Sequence, residues 1–469
     1  VSATHASGAQ RTVVIMVAAL SARHLNANTP HLRELARALG GVRTLQPSTP
    51  AVTCTSQADV LTGQPPRYHG AVANGWMNRE DGEVRLWRQS NRLLRGPMVW
   101  ERAREKFPTL SVANLFGWFN MYSTADFTAT PRPHYAADGR KHADILTTPI
   151  DLRARLQAEL GAFPLFHFWG PRADIRSTEW IAQATTRVMQ WHDPALTLTY
   201  LPHLDYVLQR EGPDGAHVAH ELRELDRVVG ALLRSCEARG ARVILCGDYG
   251  VEAATLAVHP NRALRSAGLL ATREEFSGEA LDLNSCAAFA MCDHQIAHVY
   301  TRDARATDAA RALLAQLPGV AQVLSRDQLA PLELDHARSG DLVLLPNAGA
   351  WFAYPWWLED SCAPDFARTI DIHRKPGYDP CELFVNTNSA VASAKVAWFI
   401  MRKALGFRAL LRLTPLDASL VKGTHGRADL PPALEPVLLA EGAFLPDHSR
   451  MPLRAVHDVI LRNLSGAVL

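Results

Sequence analysis

Two apolar runs with a helical stretch between them decide the fold: LTLTYLP at 196–202, an amphipathic segment at 221–236, and RVILCGDYG at 242–250. The two runs are the length of strands and too short for helices. Between them Leu222, Leu225, Val228, Val229, Leu232 and Leu233 recur at helical spacing and share one face. Gly240 stops that helix before the second run begins. Strand, helix and strand in that order make a parallel crossover unit. Its second strand runs into Asp248-Tyr249-Gly250. Open α/β sheets place ligands just beyond such strand ends.

The pattern extends in both directions. Residues 12–20 are apolar on both faces, as in a central parallel strand. Asn28-Thr29-Pro30 offers a cap and a first-turn proline for a helix over 31–39, and 41–45 follows as a strand. After a polar loop at 47–55, residues 56–62 read as a short helix closed by Gly63. Strands are expected at 110–116 and 341–345, and a helix at 151–160. Residues 287–290 and 296–300 are apolar and flank Asp293-His294-Gln295. A further helix is expected over 307–317, with Thr307 as its cap. Residues 351–379 are irregular and partly aromatic. The fold class is α/β, a doubly wound and mostly parallel sheet.

Composition narrows the function. The 469 residues carry 49 basic and 47 acidic side chains, so the net charge is 49 − 47 = +2. That balance speaks against a nucleic acid polymer as partner. The apolar run at 13–20 is too short to span a bilayer, and no membrane partner is expected. The first ten residues read as a loose tail, not a signal peptide. Seven cysteines without a CxxC pair exclude a disulfide scaffold and point to a reducing, cytoplasmic setting. Cys246, inside an apolar strand, reads as a buried inert thiol.

Several groups carry chemistry by type and position. Thr53, in PAVTCTSQADVLTG (50–63), precedes a helix start, where a hydroxyl binds an anion, attacks phosphorus or merely caps. His203, Asp205 and Gln209 lie in HLDYVLQREGPDG (203–215) as metal donors or as a surface loop. Asp248 ends an apolar strand and needs a partner. His425 sits between small residues in KGTHGRADLP (422–431). Two more polar sets, Asp293/His294/His298 and Asp371/His373/Asp379, are ligand groups or structural networks. The aromatic stretches 116–122 and 351–357 line a pocket or fill a core.

The segment TPHLRELARALGGVRTLQPSTPAVTCTSQADVLTGQPPRYHGAVANGW (29–76) resembles the nucleophile region of the alkaline phosphatase superfamily. YLPHLDYVLQREGP (200–213), VILCGDYG (243–250) and GTHG (423–426) follow in that superfamily's order. The nearest branch is the type I phosphodiesterase/nucleotide pyrophosphatase group. Within it, NGWMNREDGEVRLWRQSN, FGWFNMYS and DIHRKPGYDP resemble a bacterial subgroup associated with small-metabolite biosynthesis. The resemblance implies a catalytic core at 11–255 and 395–469, with 256–394 supplying core strands and a cap or insert. It implies Thr53 as nucleophile and Asn74 as a contact to a phosphoryl oxygen. It further implies Asp205 and His425 as ligands of one metal and Asp248 as a ligand of a second.

This chain departs from the family's pattern at three ligand positions. Ala18 stands where the family has an aspartate, Gln209 where it has one histidine, and Tyr249 where it has another. A full dizinc site is therefore not expected. One divalent ion, zinc, manganese or another, would be held among Asp205, Gln209, Asp248, Tyr249 and His425. Asn74, His203, Asp293, His294 and His373 are the expected substrate-binding groups. The implied function is hydrolysis of a phosphodiester or phosphoanhydride of a small molecule through Thr53. The alternatives are another transfer or hydrolysis reaction in small-metabolite biosynthesis, or small-molecule binding without catalysis. Self-association into a homo-oligomer is left open.

Overall fold

A computed structural model describes residues 5–137, 141–385, 389–407 and 411–466. Nine strands form the main sheet: β1 (Thr12–Val17), β2 (Val42–Gln46), β3 (Val112–Leu115), β4 (Phe127–Pro131), β5 (Ile145–Thr148), β6 (Leu196–Leu201), β7 (Arg242–Gly247), β8 (Val437–Leu439) and β9 (Arg450–Pro452). Their spatial order is β9-β2-β8-β7-β1-β6-β3-β4-β5. The centre is parallel, with β1 between β6 and β7, and β3 and β4 continuing in the same sense. Strands β8 and β5 run antiparallel to their neighbours.

Alternation along β1 explains why helices cover both faces. Val13, Ile15 and Val17 pack into one core, with the helices Pro30–Leu39, Ile175–His192 and Val218–Glu237. Val14 and Met16 point into the other, with the helices Thr53–Thr62, Val99–Lys106 and Val456–Ser465. Burying one such side chain contributes about 1.5–3 kcal/mol, so a sheet apolar on both sides is covered on both sides.

Three elements differ from the sequence reading. The helix expected at 56–62 begins at Thr53, because Asn74 Oδ1 reaches in from another segment and accepts the Cys54 N–H at 3.0 Å. A cap supplied from 20 residues away leaves no local signal. The helix expected at 307–317 is Ala304–Leu314, and its cap is Asp303, which accepts the Ala306 N–H at 2.9 Å. The 203–211 segment, left open between metal motif and loop, is the buried helix His203–Glu211. Of the expected tail at 1–10, residues 1–4 lie outside the described residues, and the Gln10 N–H bonds Leu464 O at 2.8 Å.

Within 256–394 the chain builds a second sheet. The strands Ala288–Asp293, Ile296–Thr301, Leu342–Pro346 and Val320–Ser325 lie side by side in that order, all antiparallel. Phe289, Met291, Val299, Leu342, Trp356 and Trp357 share its core. Its first hairpin turns at Asp293-His294-Gln295, with His294 at φ +54°. That turn is pinned to the main body by the Gln295 N–H, which donates to His425 O at 3.0 Å, and within its own region by the Phe352 N–H, which donates to His294 O at 2.8 Å.

Candidate functional site

Thr53 is the first residue of its helix, beyond the C-terminal ends of β1, β6 and β7. Its hydroxyl donates to the Tyr249 hydroxyl at 3.4 Å. The Asp205 carboxyl lies near the Tyr249 hydroxyl, which opposes the rise that burial gives it, and the Tyr200 hydroxyl lies near Thr53 and Tyr249. Two phenols thus surround the threonine.

Asp248 closes one side. Its Oδ1 accepts the backbone N–H of Ala19 and of Tyr249, each at 2.9 Å, and its Oδ2 accepts the Tyr200 hydroxyl at 3.1 Å. Ala19 takes φ +59° to aim its N–H there. Burial pushes the Asp248 carboxyl up to about 8, against the opposite pull of those donors.

Aromatic rings build the other side. Tyr249 stacks on His425 at 3.7 Å and 8°, His425 meets His294 at 3.7 Å, and His294 stacks on Tyr378 at 3.7 Å. The Tyr378 hydroxyl donates to Gln209 Oε1 at 2.7 Å, and Gln209 Nε2 donates to Asp205 Oδ2 at 2.6 Å. On one turn of helix, positions 205 and 209 face the same way. His425 Nδ1 bonds Ala51 O at 2.9 Å, which leaves Nε2 as a lone pair. That Nε2 and Asp205 Oδ1 are buried, 3.9 Å apart and without hydrogen-bond partners. Burial raises Asp205 to about 7 and lowers His425 to about 3.

Asn74 and Asp293 join the two sheets behind Thr53. Asp293 accepts the Asn74 N–H at 2.7 Å and the Asn74 Nδ2 at 3.0 Å, and burial pushes its carboxyl up to about 6. With Oδ1 on Cys54 and one Nδ2 proton on Asp293, Asn74 has a single amide proton left for a ligand.

The structure therefore gathers Thr53, Asn74, Asp205, Gln209, Asp248, Tyr249, Asp293, His294 and His425. It does not bring in His203 or His373. His203 lies two residues from Asp205, about 200° around the helix, and its Nε2 sits 2.7 Å from Glu221 Oε2. His373 is exposed. Asp379 belongs to a buried ion cluster in which Lys375 Nζ lies 2.7 Å from both Asp379 Oδ2 and Glu382 Oε1. His298 is held by Val72 O and the Gly340 N–H. Phe116, Phe119, Trp351, Phe352, Trp356 and Trp357 are core. All seven cysteines are free, and Cys246 is buried with its thiol pushed up.

Two residues at the site escape sequence reasoning. Tyr200 ends the apolar strand β6, where a tyrosine reads as core. Tyr378 lies in KPGYD, in a loop without periodicity. A hydroxyl at a strand end is the one cue that points to Tyr200.

The donor atoms decide the metal question. Zinc takes about four ligand atoms. At the first family position only Asp205 Oδ1 and His425 Nε2 are unengaged, since both Gln209 amide atoms are bonded. At the second, Asp248 already accepts three hydrogen bonds, Ala18 has no donor, and Tyr249 is stacked on His425. Among the described residues no group of three or more His, Cys, Asp or Glu side chains is placed to hold an ion. The residues present do not fit a zinc pair.

Comparison with known proteins places the chain. It is 23% identical over 236 residues to an uncharacterised pyrophosphatase/phosphodiesterase of Schizosaccharomyces pombe, a stretch covering 48% of this chain and 41% of that relative. The chain thus spans about two fifths of the curated relative's length. Phosphonoacetate hydrolase of Sinorhizobium meliloti, solved with phosphonoacetate, superposes at TM-score 0.62 and 15% identity, over 99% of both chains. Human ectonucleotide pyrophosphatase/phosphodiesterase 5 superposes at TM-score 0.59 and 11% identity, over 98% of this chain and 96% of its own. Both likenesses are of fold. The model of the type I phosphodiesterase/nucleotide pyrophosphatase family matches residues 12–379, and the chain belongs to that family.

Proposed function

We propose that the chain hydrolyses a phosphodiester or phosphoanhydride of a small molecule, with Thr53 as the attacking group. The observation that carries this reading is the Thr53 hydroxyl at a buried helix start, donating to the Tyr249 hydroxyl at 3.4 Å, with the buried Asp205 carboxyl near enough to Tyr249 for that hydroxyl to hold it down. An alcohol is a weak nucleophile unless its proton has somewhere to go. Here the Thr53 proton passes to the Tyr249 oxygen as the Tyr249 proton passes to Asp205. The Thr53 oxygen bonds phosphorus, and the bond from phosphorus to the leaving oxygen breaks. Asp205 gives its proton to the leaving oxygen; water then attacks phosphorus, the bond from phosphorus to the Thr53 oxygen breaks, and the water proton returns that oxygen to the hydroxyl. The remaining amide proton of Asn74 and the helix-start N–H groups face the charge that develops. Asp293 orients Asn74. The second sheet acts as a cap whose His294 turn completes the wall. At most one divalent ion is held, between Asp205 Oδ1 and His425 Nε2.

The rival reading is binding, or another transfer reaction, without phosphoryl turnover. The three hydrogen bonds already on Asp248 favour it, because they close the family's second metal position. Assay of the purified chain on bis(4-nitrophenyl) phosphate, a dinucleotide polyphosphate and phosphonoacetate separates the two. Turnover that Thr53→Ala lowers by about 10³-fold or more, with an unchanged melting temperature, supports the nucleophile. Turnover that survives Thr53→Ala refutes it, and tight binding without turnover moves the answer to the rival.

A further inference from the structure

The helix Ser389–Ala404, with the residues that follow it, is unlike the rest of the surface. Trp398, Ile400, Met401, Leu405 and Phe407 are 45–66% exposed, and no described side chain from 394 to 407 is buried. These are five of the chain's large exposed apolar residues within ten positions. Scattered apolar side chains on a surface need no explanation, but a contiguous helical set does.

Charge says what covers it. Residues 389–413 contain Lys395, Arg402, Lys403, Arg408 and Arg412 and no acidic residue. The whole chain carries +2, so everything outside this segment sums to 2 − 5 = −3. At 100° per residue, Arg402 and Lys403 bound a sector of about 100°. Phe399 shares that sector, and Lys403 Nζ lies over its ring at 5.1 Å. Ile400, Met401 and Trp398 occupy an arc of about 160° outside that sector, and Leu405 and Phe407 follow directly after the helix end. A second copy of this chain would bring five like charges against five. An anionic lipid surface accepts both the charge and the apolar arc.

We propose that the helix Ser389–Ala404, with residues 405–407, is an interfacial anchor by which the chain lies on an anionic bilayer surface. At 16 residues the helix is about 24 Å long, short of the roughly 30 Å of a hydrocarbon core, so it lies on the surface and does not cross. No helix among the described residues is long and apolar enough to cross a membrane. The sequence expectation of no membrane partner rests on the lack of a span, which an interfacial helix does not require.

Flotation of the full chain with vesicles tests this. The chain should float with phosphatidylcholine vesicles that contain phosphatidylserine, stay behind with phosphatidylcholine alone, and be released by high salt. Lys395→Glu/Arg402→Glu/Lys403→Glu should weaken anionic-vesicle binding by about a hundredfold or more. Trp398→Asp/Phe407→Asp should abolish it. Both variants should keep the wild-type melting temperature and circular dichroism. No flotation with either vesicle overturns the proposal, as does equal, salt-insensitive flotation with both. A solution dimer that Trp398→Asp/Phe407→Asp dissociates, without vesicle binding, overturns it in favour of a second copy.

Discussion

The two sides of the Thr53 site satisfy their buried carboxylates differently. On the Asp248 side, Ala18 and Tyr249 replace donors, and the remaining carboxylate is satisfied by two backbone N–H groups and Tyr200. On the Asp205 side, Gln209 replaces a donor, yet Asp205 Oδ1 and His425 Nε2 stay buried and unpaired. One side has become a closed hydrogen-bond network. The other keeps two acceptors facing each other, held apart by a stack of rings. A buried charge tolerates the loss of its counter-ion only if neutral donors replace it, and the donors are present on one side alone.

The contrast breaks most directly at Asp248. Asp248→Ala leaves three buried donors without partners, at about 1–3 kcal/mol each, so we expect roughly 3–5 kcal/mol of lost stability. His425→Ala removes a ring whose Nε2 had no partner, and should cost about 2 kcal/mol through packing. Urea denaturation of both variants checks the order. Equal losses would mean that the two sides are not different.

Restoring the family's residues sharpens the comparison. Ala18→Asp/Gln209→His/Tyr249→His should gain zinc binding by calorimetry, with stabilisation of about 3 kcal/mol at a hundredfold excess over Kd. The unaltered chain should contain less than one stoichiometric zinc pair by elemental analysis and show little thermal shift with zinc.

Acidity gives a smaller effect with a definite sign. Asp205 and Asp248 ionise near 3.8 when unfolded, but at about 7 and about 8 when folded. The folded state therefore binds these protons more tightly, and their stabilisation is lost progressively as pH rises from about 4 to about 7 for Asp205 and about 8 for Asp248. His425 and His298 move the other way, from 6.5 to about 3 and about 4, so their share is lost as pH falls below 6.5. The two trends oppose each other between about pH 4 and 6.5, so stability in urea denaturation should fall mainly between pH 6.5 and 8, by on the order of 1–3 kcal/mol per pH unit, and level off above. Asp248→Asn should lessen that fall by about 1.4 kcal/mol per pH unit.

The smallest effect tests the stack's hinge. His294 holds φ +54°. His294→Gly and His294→Ala both remove the ring, but glycine accepts that conformation, so it should be more stable than alanine by about 1 kcal/mol in denaturant titrations.

Much of the fold is legible because burial on both faces imposes unbroken apolar strands, as at 13–17 and 243–246. Helix starts were missed where the cap comes from afar, as Asn74 does for the helix at Thr53. Within the candidate site, Asp205, Asp248 and His425 stand out through their motifs. His203 was misplaced because proximity in sequence is not proximity on a helix. Tyr200 and Tyr378 were invisible because a phenol in a strand or an irregular loop carries no periodic signal. Their positions follow from tertiary packing alone.

The His294 turn has a consequence for motion. The Asn74 N–H to Asp293 bond and the Gln295 N–H to His425 bond both tie the Asp293-His294-Gln295 turn of the second sheet to segments outside it. The stack is thus a seam, and any excursion that exposes Asp205 and His425 to an incoming molecule must part it. Those two amides then exchange with deuterium as one event, faster than their burial within either sheet would allow, and a molecule lodged against Thr53 slows both together.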